Sequence, residues 1–286
     1  MPEGAGTESR RPPIRIPRRG PSVECTNPKC DHRRTLLQRW KHGTEGVFVQ
    51  GQWYCCAECS EPAIEGLVEE LIHVPEGTQQ RTYRVPLGLL LLGRGVITEE
   101  QLKEALRVQR EGNGERVGQC LLRQGAITHQ DVAQALGMQW GCPVFPIERD
   151  PSYLECAARL PISLLEARRM LPVHYLSSSR LLYVAFSDSL DRTSLYAVER
   201  LLGERTVACV VSESAMREAF EELREIQRPT EIVFELRTAR AIAGKILEHW
   251  RKARAQEMKF ARPAGHLWVR LLAAAETWDL LFRLQN

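Results

Sequence analysis

Five of the chain's nine cysteines fall between Cys25 and Cys59. They stand as Cys25-x4-Cys30 and, about two dozen residues on, Cys55-Cys56-Ala57-Glu58-Cys59. Zinc takes four ligands at tetrahedral angles, and two short cysteine pairs supply them from two backbone turns. Five thiols compete for four places: a C-x3-C reading of the second pair uses Cys55, a C-x2-C reading uses Cys56. His32 reads as a solvated loop residue. A catalytic zinc needs an open coordination position and a nearby Glu or His base, and the segment offers neither, so the expected zinc is structural, one per chain. Cys120, Cys142, Cys156 and Cys209 stand alone among apolar neighbours and read as small core residues.

These ligands need two elements to hold them. Val47-Phe48-Val49 and Trp53-Tyr54 are β-formers around Gln50-Gly51-Gln52, which reads as a hairpin. Ile64, Leu67, Val68, Leu71 and Ile72 then recur at helical spacing. The second cysteine pair therefore sits where a hairpin gives way to a helix, and a helix N-terminus favours thiolate charge.

The middle of the chain repeats itself at an offset of 30 residues. Leu87-Gly88 falls on Val117-Gly118, Gly95 on Gly125, Ile97-Thr98 on Ile127-Thr128, Leu102 on Val132, Leu106 on Leu136 and Gln109 on Gln139. A fixed offset at every pair marks a duplicated unit. Each unit reads as two short helices. The first stops at Gly95 or Gly125, suited to a left-handed C-terminal cap. Thr98 and Thr128 cap the second, and Gln101 completes a capping box after Thr98. Asn113-Gly114 marks the turn between units. Further on, Leu181–Phe186 and Thr206–Val211 read as strands, with helices ending at Leu202 and running from Ser212 to about Glu225. After Pro229 come a strand (Ile232–Glu235), an amphipathic helix (Ala239–Ala253) and a hairpin (Met258–Arg262, Leu267–Leu272). Trp278–Leu284 is ambiguous between strand and helix. Trp250, Trp268 and Trp278 read as core.

Two resemblances follow from these residues. Over about 40 residues, Tyr54-Cys55-x-x-x-Cys59 resembles the ending of small MYM- and TRASH-type zinc knuckles, with Cys56 where those have Ser. That resemblance favours Cys25, Cys30, Cys55 and Cys59 as ligands. The tandem pattern Arg-Leu-Gly-x-x-Leu-Leu-x-x-Gly-x-Ile, then Leu-x-x-x-Leu-x-x-Gln, is read here from Pro86 to Gln109 and from Arg116 to Gln139. It resembles the N-terminal regulatory domain (MshEN or GspE-N type) of type II secretion and type IV pilus ATPases, over about residues 84–225. Trp140-Gly141-Cys142-Pro143-Val144-Phe145 is similar to that family's short Gly-x-Pro strand. In some members the two repeats bind cyclic di-GMP, so the resemblance implies a ligand site at Leu87, Gly88, Gly95, Gln109, Arg116, Gly118, Leu121, Gly125 and Gln139. The chemistry suits a nucleotide: backbone at Gly approaches closely, Arg offers a planar cation, and Gln bonds a base edge. The first unit departs from the pattern, with Pro86 where Arg belongs, and Arg84 lies two residues earlier.

Composition sets the class. Of the 286 residues, 43% are apolar and 26% charged, ordinary for a globular protein. The net charge of +3 is matched by residues 1–22, five arginines against Glu3 and Glu8, so the remainder is neutral. A neutral body argues against an extensive nucleic-acid face. No apolar signal segment or ~20-residue apolar span occurs, which reads as a cytoplasmic bacterial protein. No Gly-x-x-x-x-Gly-Lys-Ser/Thr, Gly-x-Ser-x-Gly or His-Glu-x-x-His is present, so no enzyme is expected. The expected organisation is α+β: a disordered basic tail (1–22), a zinc knuckle (23–75), a linker (76–85), the repeat-bearing domain (86–225) and a small α+β module (229–286). The expected role is a non-catalytic adaptor or sensor with a partner in the secretion or pilus machinery. The rivals are a zinc-containing nucleic-acid-associated regulator and a purely structural scaffold.

Overall fold

The computed structural model describes residues 24–30, 46–74, 84–112, 115–147, 152–226, 231–274 and 276–284. The basic tail, His32, most of the linker and the Asn113-Gly114 turn lie outside the described residues.

The repeat forms as its sequence dictates. Helices α2 (Leu87–Gly93) and α3 (Glu99–Glu111) make the first unit, α4 (Val117–Arg123) and α5 (His129–Trp140) the second; α1 (Ala57–His73) belongs to the knuckle. Gly95 and Gly125 take φ of +69° and +67°. Each closes a Schellman motif: the N–H of Val96 reaches the Leu91 carbonyl, and that of Ala126 the Leu121 carbonyl. Thr98 and Gln101 form a reciprocal capping box, as do Thr128 and Asp131. Leu91, Ile97, Leu102, Ala105, Cys120, Leu121, Ile127 and Ala135 bury the shared face of the four helices.

An α/β layer follows. Helices α6 (Tyr153–Ala157) and α7 (Ile162–Arg168) precede β3 (Met170–Leu176), which pairs antiparallel with β4 (Leu181–Phe186). Helix α8 (Arg192–Leu202) crosses over to β5 (Arg205–Val210), parallel to β4, and α9 (Glu213–Ile226) closes the unit. Pro172 lies inside β3, a position tolerated because β3 is an edge strand with a bulge between Pro172 and His174. The Gly-x-Pro segment adds only a single parallel bridge, Val144 to Val210.

The segments read from sequence as knuckle and C-terminal module share one sheet. Strands β1 (Val47–Val49) and β2 (Gln52–Tyr54) form the expected hairpin. With β6 (Glu231–Phe234), β7 (Glu257–Ala261), β8 (His266–Leu272) and β9 (Thr277–Arg283) they give the order β2-β1-β7-β8-β9-β6. The joint is the parallel pair β1–β7, where the N–H groups of Phe48 and Gln50 donate to the carbonyls of Gln256 and Met258. The sheet alternates with period two. Phe260, Leu267, Val269, Leu280 and Phe282 face α1 and α10 (Ala239–Ala253), while Ala261, Trp268 and Leu281 face the α/β core. Trp278 resolves as strand. Trp250 and Trp268 are buried.

Candidate functional site

Two sites emerge. In the first, the sulfurs of Cys25, Cys30, Cys55 and Cys59 all lie within 4.8 Å of one another. The Cys30–Cys55 and Cys55–Cys59 sulfurs are each 3.7 Å apart. A zinc–sulfur bond of ~2.3 Å makes the tetrahedron's edge ~3.8 Å, so this spacing fits a zinc and far exceeds a ~2.05 Å disulfide. Cys56 does not join this foursome; it is buried at the N-cap of α1.

Asn27 builds the first knuckle turn. Its side-chain oxygen accepts from the Lys29 N–H, its carbonyl accepts from the Cys30 N–H, and its amide donates to the Cys59 carbonyl. One residue thus ties both cysteine pairs together. Burial pushes the Cys55 thiol up to about 12, with the Cys30 thiol adding to it, and burial also raises Cys59. At Cys25, burial opposes but is outweighed by N–H groups of Cys55 and Asn27, so that thiol is lowered. A desolvated thiol cluster of this kind ionises only when a cation neutralises it.

The second site is a groove of about 1000 Å³ between the repeat helices and the β4–α8 loop. Of the nine residues the family resemblance implied, Leu87, Gln109, Arg116, Gly118 and Gln139 border it. The other four do not. Leu121 is fully buried in the helical core, Gly95 and Gly125 are spent on the Schellman caps, and Gly88 packs against α3. A methyl at Gly88 would lie 2.6 Å from Leu102 Cδ1.

Several of the groove's polar groups are already engaged. Arg116 is ion-paired with Asp188 across the groove. Gln109 donates to the Glu115 carbonyl at 3.0 Å, and Gln139 to the Val85 carbonyl at 2.7 Å. Gln119 and Arg169 both donate to Glu213. Burial raises Glu213, but those two hydrogen bonds outweigh it and hold its carboxyl below the usual range. The far wall, Ser187 to Thr193 with Tyr196, holds no residue that the sequence singled out as a site. Its signal was available: a βα loop at the C-terminal end of a strand parallel to its neighbour is where α/β layers bind ligands.

Paired helical repeats in front of a three-stranded α/β layer, with a groove between them, define the architecture, and no phosphate-loop motif occurs in the 286 residues. The chain carries an MshEN domain, since residues 140–230 match the family model of that description; the repeats at 86–139 precede the matched stretch. Over 126 residues the chain is 36% identical to bacteriophage adsorption protein B of Escherichia coli, covering 44% of this chain and 16% of that protein. Over 117 residues it is 30% identical to the type IV pilus assembly ATPase PilB of Thermus thermophilus, covering 41% of this chain and 13% of that one. The chain therefore spans less than a fifth of each relative's length. Among solved structures, that of MshE with cdg aligns at 26% identity over 49% of this chain and 99% of that one, with a TM-score of 0.39. The N-terminal domain of XpsE aligns at 21% identity over 50% and 97%, with a TM-score of 0.38. No helix among the described residues is long and apolar enough to cross a membrane.

Proposed function

We propose that this chain is a non-catalytic sensor or adaptor of the secretion and pilus type, binding cyclic di-GMP in the groove and passing that state to a protein partner of the machinery. One observation carries the reading: Leu87 and Gln109 of the first repeat converge with Arg116, Gly118 and Gln139 of the second on a single groove. At about 1000 Å³ it stands at the upper end of small-molecule sites, as a dinucleotide requires. The MshEN match and the MshE structure with cdg support the ligand class. In this reading Arg116 exchanges Asp188 for the ligand. A structural zinc on Cys25, Cys30, Cys55 and Cys59 holds the knuckle against the C-terminal sheet.

Calorimetry with cyclic di-GMP tests the reading. The wild type should release or absorb heat on titration, Arg116→Ala should abolish binding, and Pro86→Arg should tighten it about tenfold by one charge-assisted contact. Silence from both wild type and Pro86→Arg refutes the ligand. A specific observation favours the scaffold reading in that event: Gly88 is close-packed against Leu102, a demand that exists without any ligand.

A further inference from the structure

The groove's charges do not balance. Each carboxylate that borders it has a cationic partner: Asp188 has Arg116, Asp191 has Arg168, and Glu213 has Arg169. Arg84 and Arg192 border the same groove, are exposed, and have no ion-pair partner among the described residues. They arrive from opposite walls. Arg84 precedes α2 on a segment tied to α5 by the Gln139 amide on the Val85 carbonyl. Arg192 opens α8, whose N-terminal N–H groups add positive potential.

An independent feature points to a ligand at this wall. Ser187 closes β4 at 6% exposure, borders the groove, and its hydroxyl has no hydrogen-bond partner. A buried hydroxyl left unpaired is costly unless something supplies the partner. Tyr196, 65% exposed, and Trp140 border the same groove, aromatic side chains of the kind on which a base stacks.

We propose that Arg84 and Arg192, with the buried hydroxyl of Ser187, form an anion subsite that takes a phosphate of the groove's nucleotide. It supplies the cation that Pro86 removes from the first repeat. Two guanidiniums and a hydroxyl supply the charge and the donors that phosphate oxygens accept. The inference rests on the reading of the groove as a nucleotide site, and its test separates the two.

Wild type, Arg84→Ala, Arg192→Ala, the double variant and Ser187→Ala are titrated by calorimetry with cyclic di-GMP and, separately, with inorganic pyrophosphate. Thermal melts confirm that each is folded; Ser187→Ala should melt no lower than wild type, because its hydroxyl makes no bond to lose. Each arginine variant should weaken cyclic di-GMP about tenfold, the double variant about a hundredfold, and Ser187→Ala severalfold. If the double variant binds cyclic di-GMP as the wild type does, the subsite is refuted and the groove reading stands. If the wild type ignores cyclic di-GMP but binds pyrophosphate, and the double variant does not, the subsite stands and that ligand falls. If neither probe binds, both fall.

Discussion

A methyl group at Gly88 and one at Gly118 should have opposite effects, although the repeat makes the two positions equivalent. Both glycines sit in the first turn of a helix, where Gly→Ala gains at most the ~1 kcal/mol of a helix interior. What the methyl meets decides the sign. At Gly88 it would lie 2.6 Å from Leu102 Cδ1, and Leu102 is 7% exposed in the helical core. Carbon atoms sit favourably at about 3.5–4.0 Å, so Leu102 must shift by about 1 Å in a packed interior. Overpacking of that kind costs about 1–3 kcal/mol, leaving Gly88→Ala less stable by about 1 kcal/mol. At Gly118 the nearest atom is Leu87 Cδ2 at 3.0 Å, and Leu87 is half-buried at the groove with room to move. Gly118→Ala should therefore be neutral or more stable by about 0.5 kcal/mol, while placing a methyl on the groove wall that weakens nucleotide binding. Urea denaturation of both variants reads the stability, and calorimetry the binding. If Gly88→Ala proves as stable as the wild type, the close approach does not hold the helices. If Gly118→Ala binds nucleotide as the wild type does, that wall does not contact ligand.

The metal should report on the sheet. Metal analysis of reduced protein should find one zinc per chain; Cys56→Ser should keep it and Cys55→Ser lose it, and absence of zinc or the reverse order overturns the assignment. Chelation should raise hydrogen exchange in residues 46–74 and also in 231–284, because both bury the same core of Val47, Ile64, Val68, Ile246, Met258 and Phe260, while the repeat helices stay protected; exchange confined to 46–74 would show the joint to be incidental. Asp279 is buried, accepts from Trp268 Nε1 at 2.7 Å and pairs with Arg270 at 2.8 Å. Asp279→Ala should cost about 3–5 kcal/mol in thermal or urea unfolding by stranding the Arg270 charge; a loss under 1 kcal/mol would show that charge to be rehydrated.

The helical repeats were legible because everything that shapes them is local. Gly95 and Gly125 stop a helix within a few residues of the leucines they cap, and Thr98 with Gln101 is a three-residue signal. The Tyr-Cys-x-x-x-Cys resemblance favours Cys55 over Cys56, and the four cysteines it picks lie close together in the structure. Elements set by distant partners were not. β3 carries Pro172, which argues against a strand until the edge position and the bulge are known. Helices α6 and α7 are five and seven residues long, too short to show a helical period.

The largest gap between sequence and structure is the joint between the two ends of the chain, and its physical reason bears on function. A parallel pair such as Phe48 with Glu257 leaves no turn signal, since the connection is most of the protein. Its energy lies in side chains already assigned to two separate modules, so composition and period look complete without it. Once made, the joint changes what the zinc knuckle can be. The hairpin is the edge of a sheet whose opposite face packs Ala261, Trp268 and Leu281 into the α/β core. Arg168 fastens the assembly a second time, pairing with Asp191 at the groove and donating to the Ala264 carbonyl in the β7–β8 turn. The loop that forms the groove's far wall is thus bonded directly to the sheet that carries the knuckle. A ligand that rearranged Asp188 to Asp191 would load Arg168 and, through it, the β7–β8 turn. Arg168→Ala should weaken cyclic di-GMP only through the Asp191 carboxylate that it leaves unpaired at the groove, since Arg168 itself does not border it. It should abolish any ligand-induced change in hydrogen exchange at residues 257–272. Persistence of that change in the variant would exclude Arg168 as the link.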